Sequence, residues 1–484
     1  MEAEMHDSTS ALQTLIDAEK LQYCYECGIC TASCPMAELL GACYNPRSLL
    51  QKAFIEPEKA LEEASLWLCA WCYKCHDRCP QELKPPEIFQ LLKDEAARRG
   101  LLSGFQKAVR SMEEGVPLPL ICWYTCFHPE RARVDEARLE DALREIASRR
   151  RHPRKKMASG DHKQKIAVIG SGPAGLTAAS ELAKKGYPVT VFEALPAVGG
   201  MLRKSMPEYR LPRRALEAEI ERLKDLSVEI RTNTRIGEDV EFDALWKEGY
   251  DAIFVGIGAH RSRKLGIEGE NLEGVLDALE FLWKINAQKK VTLGKKVGVI
   301  GGGNVAVDAA RTALRQGADE ATILYRRTRE DMPANPWELM EAEQEGVKFE
   351  FLTAPKRIHG NGGKVAELVS EKMKLGELDE TGRGRPEPVE GSDFSLQLHT
   401  IVVAIGEEVD AAFLPKMIEV DKNGRVRVNP ITMETDLQGV FAGGDAVTGP
   451  ATVMEAILAG KRAACSIDRY LAGAEVGGNE RHGD

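Results

Sequence analysis

The sequence predicts an α/β protein in which two doubly wound units, the first interrupted by the second, follow a helical cysteine-rich head. Three observations carry that expectation. A strand, a glycine turn, a helix and a second strand run from Lys165 to Phe192, and the pattern returns about 130 residues later, from Lys296 to Tyr325. Nine of twelve cysteines precede residue 80, and only Cys465 lies beyond residue 126. The chain has 484 residues, too long for one ordinary domain. Each repeated unit is Rossmann-like, the pattern of a nucleotide-binding domain.

Composition narrows the classes. The hydrophobic fraction of 43% is normal for a globular protein, and no run of about 18 apolar residues could span a membrane. The start carries Glu2, Glu4, Asp7 and Asp17 with no apolar core, so no secretory signal is expected. A net charge of −10 argues against a nucleic-acid binder. Dense cysteines in such a chain point to metal ligation in a reducing, cytoplasmic compartment rather than to disulfides.

Taken in order, residues 1–100 hold the cysteine runs with helix-like stretches Pro46–Ala53 and Pro86–Arg98. Residues 101–162 read as a helical and then basic linker, through Arg149–Lys156 to Ala158-Ser159-Gly160. The first nucleotide-binding domain occupies 163–290, with strand Lys165–Ile169, helix Leu176–Lys185 and strand Pro188–Phe192. The second occupies 291–395, with strand Lys296–Ile300, helix Val305–Gln316 and strand Ala321–Tyr325. Residues 396–484, from the strand-like Thr400–Ile405 onward, are expected to complete the interrupted first domain.

Cys24-x-x-Cys27-x-x-Cys30-x-x-x-Cys34-Pro35 is matched by Cys69-x-x-Cys72-x-x-Cys75-x-x-x-Cys79-Pro80. Thiolates two residues apart wrap one cluster face, and in two-cluster ferredoxins the fourth cysteine ligates the other cluster. The expected sets are therefore Cys24, Cys27, Cys30 and Cys79 for one [4Fe–4S] cluster, and Cys69, Cys72, Cys75 and Cys34 for the other. Zinc is the competing reading, but Cys₄ zinc sites pair two x₂ knuckles rather than two four-cysteine runs. These runs, with Tyr44–Ala53 between them and Leu66-Trp-Leu-Cys69 opening the second, resemble the small iron–sulfur subunit of heterodisulfide reductases over residues 20–95. Cys43 lies outside the motif and is expected to be a buried thiol.

In the first unit, Gly170-Ser-Gly172-Pro173-Ala174-Gly175 sits between strand and helix, and Glu193 ends the next strand. Glycines admit a pyrophosphate to the helix N-terminus, and the carboxylate suits a ribose hydroxyl. From here the chain resembles the glutamate synthase small-subunit family, with the large subunit of NADH-dependent ferredoxin:NADP oxidoreductase and the N-terminal half of dihydropyrimidine dehydrogenase. The likeness covers about residues 165–472. It runs through Val198–Leu202, Pro207–Pro212, Phe254–Ala259, Phe441–Ala446 and Gly449–Val453. It implies FAD contacts from Gly200, Met201, Arg210, Gly444, Asp445 and Thr452. Asp445 could also cap a helix beginning near Pro450. No cysteine pair follows the flavin motif, which argues against disulfide reductase chemistry, and Cys465 is expected in the core.

The second turn is Gly301-Gly-Gly303-Asn304-Val305-Ala306, with alanine in the third glycine place, as the motif permits. After the following strand, where NAD binders carry an acid, stand Arg326, Arg327 and Arg329. Guanidinium groups there favour a 2′-phosphate, hence NADP(H) with NAD(H) as the alternative. The competing reading is a surface cluster answering Glu330 and Asp331. The Val402–Gly406 turn is expected near the nicotinamide domain.

One segment departs from the family pattern. Relatives carry C-G-R-V-C-x-x-P-C-E-x-x-C; here Pro119–Glu130 keeps Cys122 and Cys126 but loses the later cysteines, so it reads as a vestige. The resemblance implies an NAD(P)H-dependent FAD and iron–sulfur oxidoreductase subunit serving redox partners. Those partners would be iron–sulfur, heterodisulfide-reductase-like, hydrogenase- or dehydrogenase-like subunits, or ferredoxin, in a complex that could bifurcate electrons. Two alternatives stand beside it: an electron-wiring subunit with an idle or regulatory nucleotide domain, and the glutamate synthase small subunit itself.

Overall fold

Lys165–Ile169 and Val189–Phe192 are apolar and buried almost throughout, so they occupy the middle of a parallel sheet covered on both faces. The structure is a computed structural model that describes residues 21–127, 162–379 and 382–473. The expected basic run Arg149–Lys156, the Ala158–Gly160 linker, Glu130 and the first twenty residues lie outside these. The first sheet runs Val440–Ala442, Tyr250–Val255, Lys165–Ile169, Val189–Phe192, Glu229–Arg231, all parallel. The second runs Val275–Asp277, Thr400–Val403, Lys296–Ile300, Glu320–Leu324, Lys348–Glu350, also parallel. The fold is thus the expected pair of Rossmann-like domains, one interrupting the other.

One expected boundary moves. Thr400–Val403 does not begin the return to the first domain; it pairs with Val275–Asp277 and Lys296–Ile300 near the centre of the second sheet. Between Thr353 and Gln397 the chain makes an antiparallel excursion, and its return re-enters the sheet it had left. All four residues of Thr400–Val403 are buried, which a position flanked by strands on both sides requires. The chain passes between the two domains at a two-stranded ribbon, where Glu407–Glu408 lies antiparallel to Arg261–Ser262. The strand completing the first sheet comes only at Val440–Ala442.

The head is a set of short helices whose starts are written in the sequence. Pro46 begins Pro46–Ile55, whose N-cap Asn45 accepts from the Ser48 amide at 3.2 Å. Pro85–Arg98 buries Ile88, Phe89, Leu92 and Ala96 along one stripe.

The region after it, as far as residue 127, is a buried joint rather than a linker. Helix Ser103–Gly115 buries Phe105, Ala108, Val109 and Met112, and Phe105 packs edge-on between Trp67 (5.3 Å) and Trp123 (5.2 Å). The Leu120 amide donates to Glu219 of the first α/β domain at 2.7 Å. Head and first domain therefore share one hydrophobic core. Three polar contacts fix the head along helix Val453–Leu471: Lys74 with Glu455, Glu38 with Arg462, and Lys461 donating to the Leu39 carbonyl at 3.1 Å.

Two cysteine expectations are corrected. Cys43 is exposed, because it closes a short surface turn at Gly41–Cys43. Cys465 is also exposed, on the outer side of a helix whose Ala463, Ala464 and Ile467 face the core. Cys122, in the vestigial segment, is fully buried.

Candidate functional site

The glycine turns are shaped by what a side chain would strike. Gly170 has φ +97°, and a Cβ on Gly175 would lie 2.0 Å from the Gly170 carbonyl oxygen, so helix Pro173–Lys184 packs directly on the turn. A Cβ on Gly172, by contrast, would meet nothing within 4 Å, and no side chain caps that helix. Its first N–H groups open onto a cavity of about 630 Å³. An open cradle at a helix N-terminus fits a dinucleotide pyrophosphate. Gly170, Gly172, Pro173, Ala174, Glu193, Gly200, Met201, Arg210, Gly444, Asp445 and Thr452 all line this cavity, while Gly175 packs on Gly170 rather than lining it.

Several of these side chains hold one another. Glu193 accepts from the Ser171 amide (3.1 Å), the Ser171 hydroxyl and the Leu195 amide (2.8 Å), while Ser171 Oγ accepts from the Gly199 amide at 3.0 Å. Ser171 thus ties the glycine turn to the Val198–Leu202 loop. Its place at an x position of the motif, which carries no constraint of its own, gives this role no signal in the sequence.

Asp445 does not cap the long helix. Thr452 does, in a capping box with Glu455, and Asp445 accepts from the Ala451 amide at 3.2 Å. Burial pushes the Asp445 carboxyl up to about 7 and the nearby Glu407 up to about 6. His260, on the same wall, is pulled down to about 4 by burial, with Lys204 and Arg235 adding to the effect.

Arg210 makes a different connection from the one expected of a flavin contact alone. It is paired across the domain boundary with buried Asp308 (2.7 Å) and buried Glu338 (2.8 Å), its own side chain 11% exposed, and Tyr209 donates to Asp308 at 3.3 Å. Neither acid carries a sequence signal, since each is one among many helical carboxylates.

At the second turn, Gly303 likewise has open space where a Cβ would be, and helix Asn304–Arg315 starts there without a side-chain cap. A Cβ on Gly301 would sit 2.1 Å from the Ala404 oxygen, so the Val402–Gly406 turn does abut this motif. Asn304 and Val305 reach the large cavity; Gly301, Gly303 and Ala306 form the turn behind it. Here, too, the residues fit a dinucleotide.

The three arginines do not act alike. Arg327 is buried, donating from Nε to the Gly384 carbonyl at 2.9 Å and from Nη2 to Asp379 at 2.6 Å, so it braces the antiparallel excursion. Arg329 forks onto Glu343. Arg326 is exposed and makes no ion pair or hydrogen bond among the described residues. The expectation of two phosphate contacts from adjacent arginines therefore loses Arg327, whose guanidinium is held on the side away from solvent.

The eight run cysteines ring two small hollows. Cys34, Cys69, Cys72 and Cys75 line one; Cys24, Cys27, Cys30 and Cys79 line the other, with Cys75 at its edge. Burial pushes the Cys34 thiol up to about 12 and Cys72 up to about 11; Cys75 is raised by burial, then by Cys69 and Cys72. Buried thiols crowded in this way repel once ionised unless a cationic centre neutralises them, which suits a cluster. Among the described residues, no three Cys, His, Asp or Glu side chains gather closely enough for a single metal ion. The Ala70-Trp71-Cys72 segment lines both the first hollow and the large cavity, and Trp71 lies 6.5 Å from Trp337 of the second α/β domain.

Comparison with known proteins agrees with this geometry. Residues 164–460 match the pyridine nucleotide-disulphide oxidoreductase family, and residues 20–83 match the 4Fe-4S dicluster domain. The beta subunit of the NADP(+)-dependent formate dehydrogenase of Moorella thermoacetica is 40% identical over 430 residues, 82% of this chain and 60% of that one. The chain thus spans about three-fifths of that relative. The glutamate synthase [NADPH] small chain of Escherichia coli is 36% identical over 325 residues, covering 64% of this chain and 69% of that one. Mycobacterium tuberculosis FprA in complex with NADPH shares the fold, with a TM-score of 0.56 at 22% identity over 64% of this chain and 85% of that one. The family's name includes disulphides, but no cysteine lies between Cys126 and Cys465. The chain belongs to the pyridine nucleotide-disulphide oxidoreductase family and carries a 4Fe-4S dicluster domain ahead of its two nucleotide-binding domains.

Proposed function

We propose that this chain is an NADPH-dependent FAD and iron–sulfur oxidoreductase subunit, passing electrons between nicotinamide nucleotide and partner redox subunits. The observation that carries the proposal is the single cavity reached by the first glycine turn, by Asn304 and Val305 from the second, and by Cys72 of the head. Bound FAD would supply the exchange between two-electron hydride chemistry and one-electron transfer.

This chain's residues would bind, orient and shield. The open amides after Gly172 would hold the FAD pyrophosphate, with Gly200, Met201, Gly444, Asp445 and Thr452 along the cavity wall. The amides after Gly303 would do the same for the nicotinamide dinucleotide, and Arg326 offers a free guanidinium for a 2′-phosphate. Cys24, Cys27, Cys30 and Cys79 would hold one [4Fe–4S] cluster, and Cys34, Cys69, Cys72 and Cys75 the other. Arg210 would keep the second domain seated against the cavity through Asp308 and Glu338.

The similarity to a formate dehydrogenase subunit supports a role as the nucleotide-handling member of a larger complex, with its partners still to be named by co-purification. Anaerobic NADPH should bleach the flavin band of the purified holo-chain and develop cluster EPR signals. A chain that binds FAD but shows neither change with NADPH or NADH would leave only the electron-wiring alternative.

A further inference from the structure

The three cavities lie in a row, and the residues they share set their order. Ala70, Trp71 and Cys72 wall the flavin cavity on one side and the hollow of Cys34, Cys69, Cys72 and Cys75 on the other. Cys75 in turn belongs to the walls of both hollows. No cysteine of the Cys24, Cys27, Cys30 and Cys79 set reaches the flavin cavity. Exposure follows the same order. The sets differ at one cysteine each, Cys69 being buried and Cys27 exposed while the other six are half-buried, and Tyr23 and Tyr25 beside Cys27 are 56% and 71% exposed.

The arrangement is held in place. The Lys74 and Glu38 ion pairs join the head to helix Val453–Leu471, and Lys74 follows Cys72 by only two residues. Trp71 takes a left-handed backbone conformation (φ +50°), a strained choice for an aromatic residue, and it brings the Cys69–Cys72 turn against Trp337.

Resting on the FAD and two-cluster reading above, we propose that the clusters work in series. The cluster of Cys34, Cys69, Cys72 and Cys75 is the inner one, exchanging electrons with the flavin. The cluster of Cys24, Cys27, Cys30 and Cys79 is the outer terminal, serving one-electron carrier proteins at the Cys27 face. Electrons balance without another reactant: NADPH becomes NADP⁺, releasing one proton and two electrons, each cluster holds one electron, and each carrier takes one.

The test uses the full holo-chain under anaerobic conditions. In Cys27→Ala, which removes an outer ligand, NADPH should still bleach the flavin. It should also still reduce the inner cluster to about one spin per chain by EPR, as a one-electron cubane gives. NADPH-driven reduction of an added two-cluster ferredoxin should fall to background. If the remaining cluster no longer takes an electron from NADPH while the flavin does, or if ferredoxin reduction is undiminished, the series is wrong.

Should Cys27→Ala fail to fold, a milder pair of measurements decides. A soluble dysprosium chelate added to reduced wild-type protein should accelerate the relaxation of one cluster signal far more than the other. That signal should be the one shifted by Cys27→Ser, which keeps an oxygen ligand. If Cys69→Ser shifts it instead, the order is reversed and the proposal fails. A wild-type chain whose flavin NADPH cannot bleach would instead overturn the flavoprotein reading, and the series with it.

Discussion

Arg326 and Arg327 are neighbours in sequence with opposite surroundings, and substituting each alone should separate nucleotide recognition from stability. Arg326 is exposed and unpartnered among the described residues, so removing it leaves no buried group unsatisfied. If it meets the 2′-phosphate, Arg326→Ala loses one charge-assisted contact of roughly 1.5–3 kcal/mol. At about 1.4 kcal/mol per tenfold, the KM for NADPH should rise roughly 10- to 150-fold, with NADH kinetics unchanged. Stability should stay within about 0.5 kcal/mol, as for other surface changes.

Arg327→Ala removes donors from the Gly384 carbonyl (2.9 Å) and from Asp379 (2.6 Å), whose side chain is only 22% exposed. Asp379 keeps the Arg383 amide at 3.2 Å, so the loss should be about 1–3 kcal/mol of stability. Diaphorase kinetics with both nucleotides, beside thermal unfolding of each variant, make the comparison. An unchanged NADPH KM in Arg326→Ala would refute the assignment. So would an Arg327→Ala protein that melts normally but binds NADPH poorly.

Three further outcomes follow from the geometry. Cys79→Ala should abolish the EPR signal of the cluster held by Cys24, Cys27 and Cys30 and spare that of its own run, because Cys79 lines their hollow; loss of the other signal instead would show that the runs do not cross. Arg210→Met should lower stability by about 3 kcal/mol in denaturant titrations, since it removes the cation from buried Asp308, leaving it the Tyr209 hydroxyl, and one of the two arginines from buried Glu338, which keeps Arg311 at 3.1 Å. Arg210→Met combined with Asp308→Leu should cost less than Arg210→Met alone, and a larger loss would mean the pair is not what Arg210 serves.

In flavin-free protein the two raised carboxyls should contribute stability that is lost as pH rises from about 4 to about 7, partly offset by His260, whose folded value of about 4 gives the opposite slope up to its ordinary range. Asp445 (up to about 7) and Glu407 (up to about 6) bind protons more tightly folded than unfolded, so their protonated forms favour the fold and that advantage is lost as pH climbs through the folded values. Asp445→Asn should flatten this slope in thermal melts across the range, and an unaltered slope would remove Asp445 as its source.

The sequence alone determined whatever rests on local pattern. Strands Lys165–Ile169 and Lys296–Ile300 fall where their apolar runs predict, because a doubly covered parallel strand needs no partner information to be recognised. The glycine turns were legible because close backbone approach leaves only glycine as a choice, as the 2.0 Å clearance at Gly175 illustrates. The two cysteine runs were legible because thiolate spacing is itself the constraint on a cluster.

Tertiary structure decided what depends on distant residues meeting. Thr400–Val403 reads as a strand in either domain; only its register against Val275–Asp277 and Lys296–Ile300 assigns it to the second. Arg327 looks like a phosphate ligand until Asp379 and Gly384, more than fifty positions away, claim its guanidinium. The Arg210, Asp308 and Glu338 clamp joins residues that no local period relates. Cys43 and Cys465 were expected to be buried because free thiols usually are, yet which side of a turn or helix faces solvent is set by what packs on the other side. The order of the two hollows along the head likewise comes from packing, since Cys72 meets the flavin cavity where the head's core merges with that of the first domain and Lys74, Glu38 and Lys461 join it to helix Val453–Leu471.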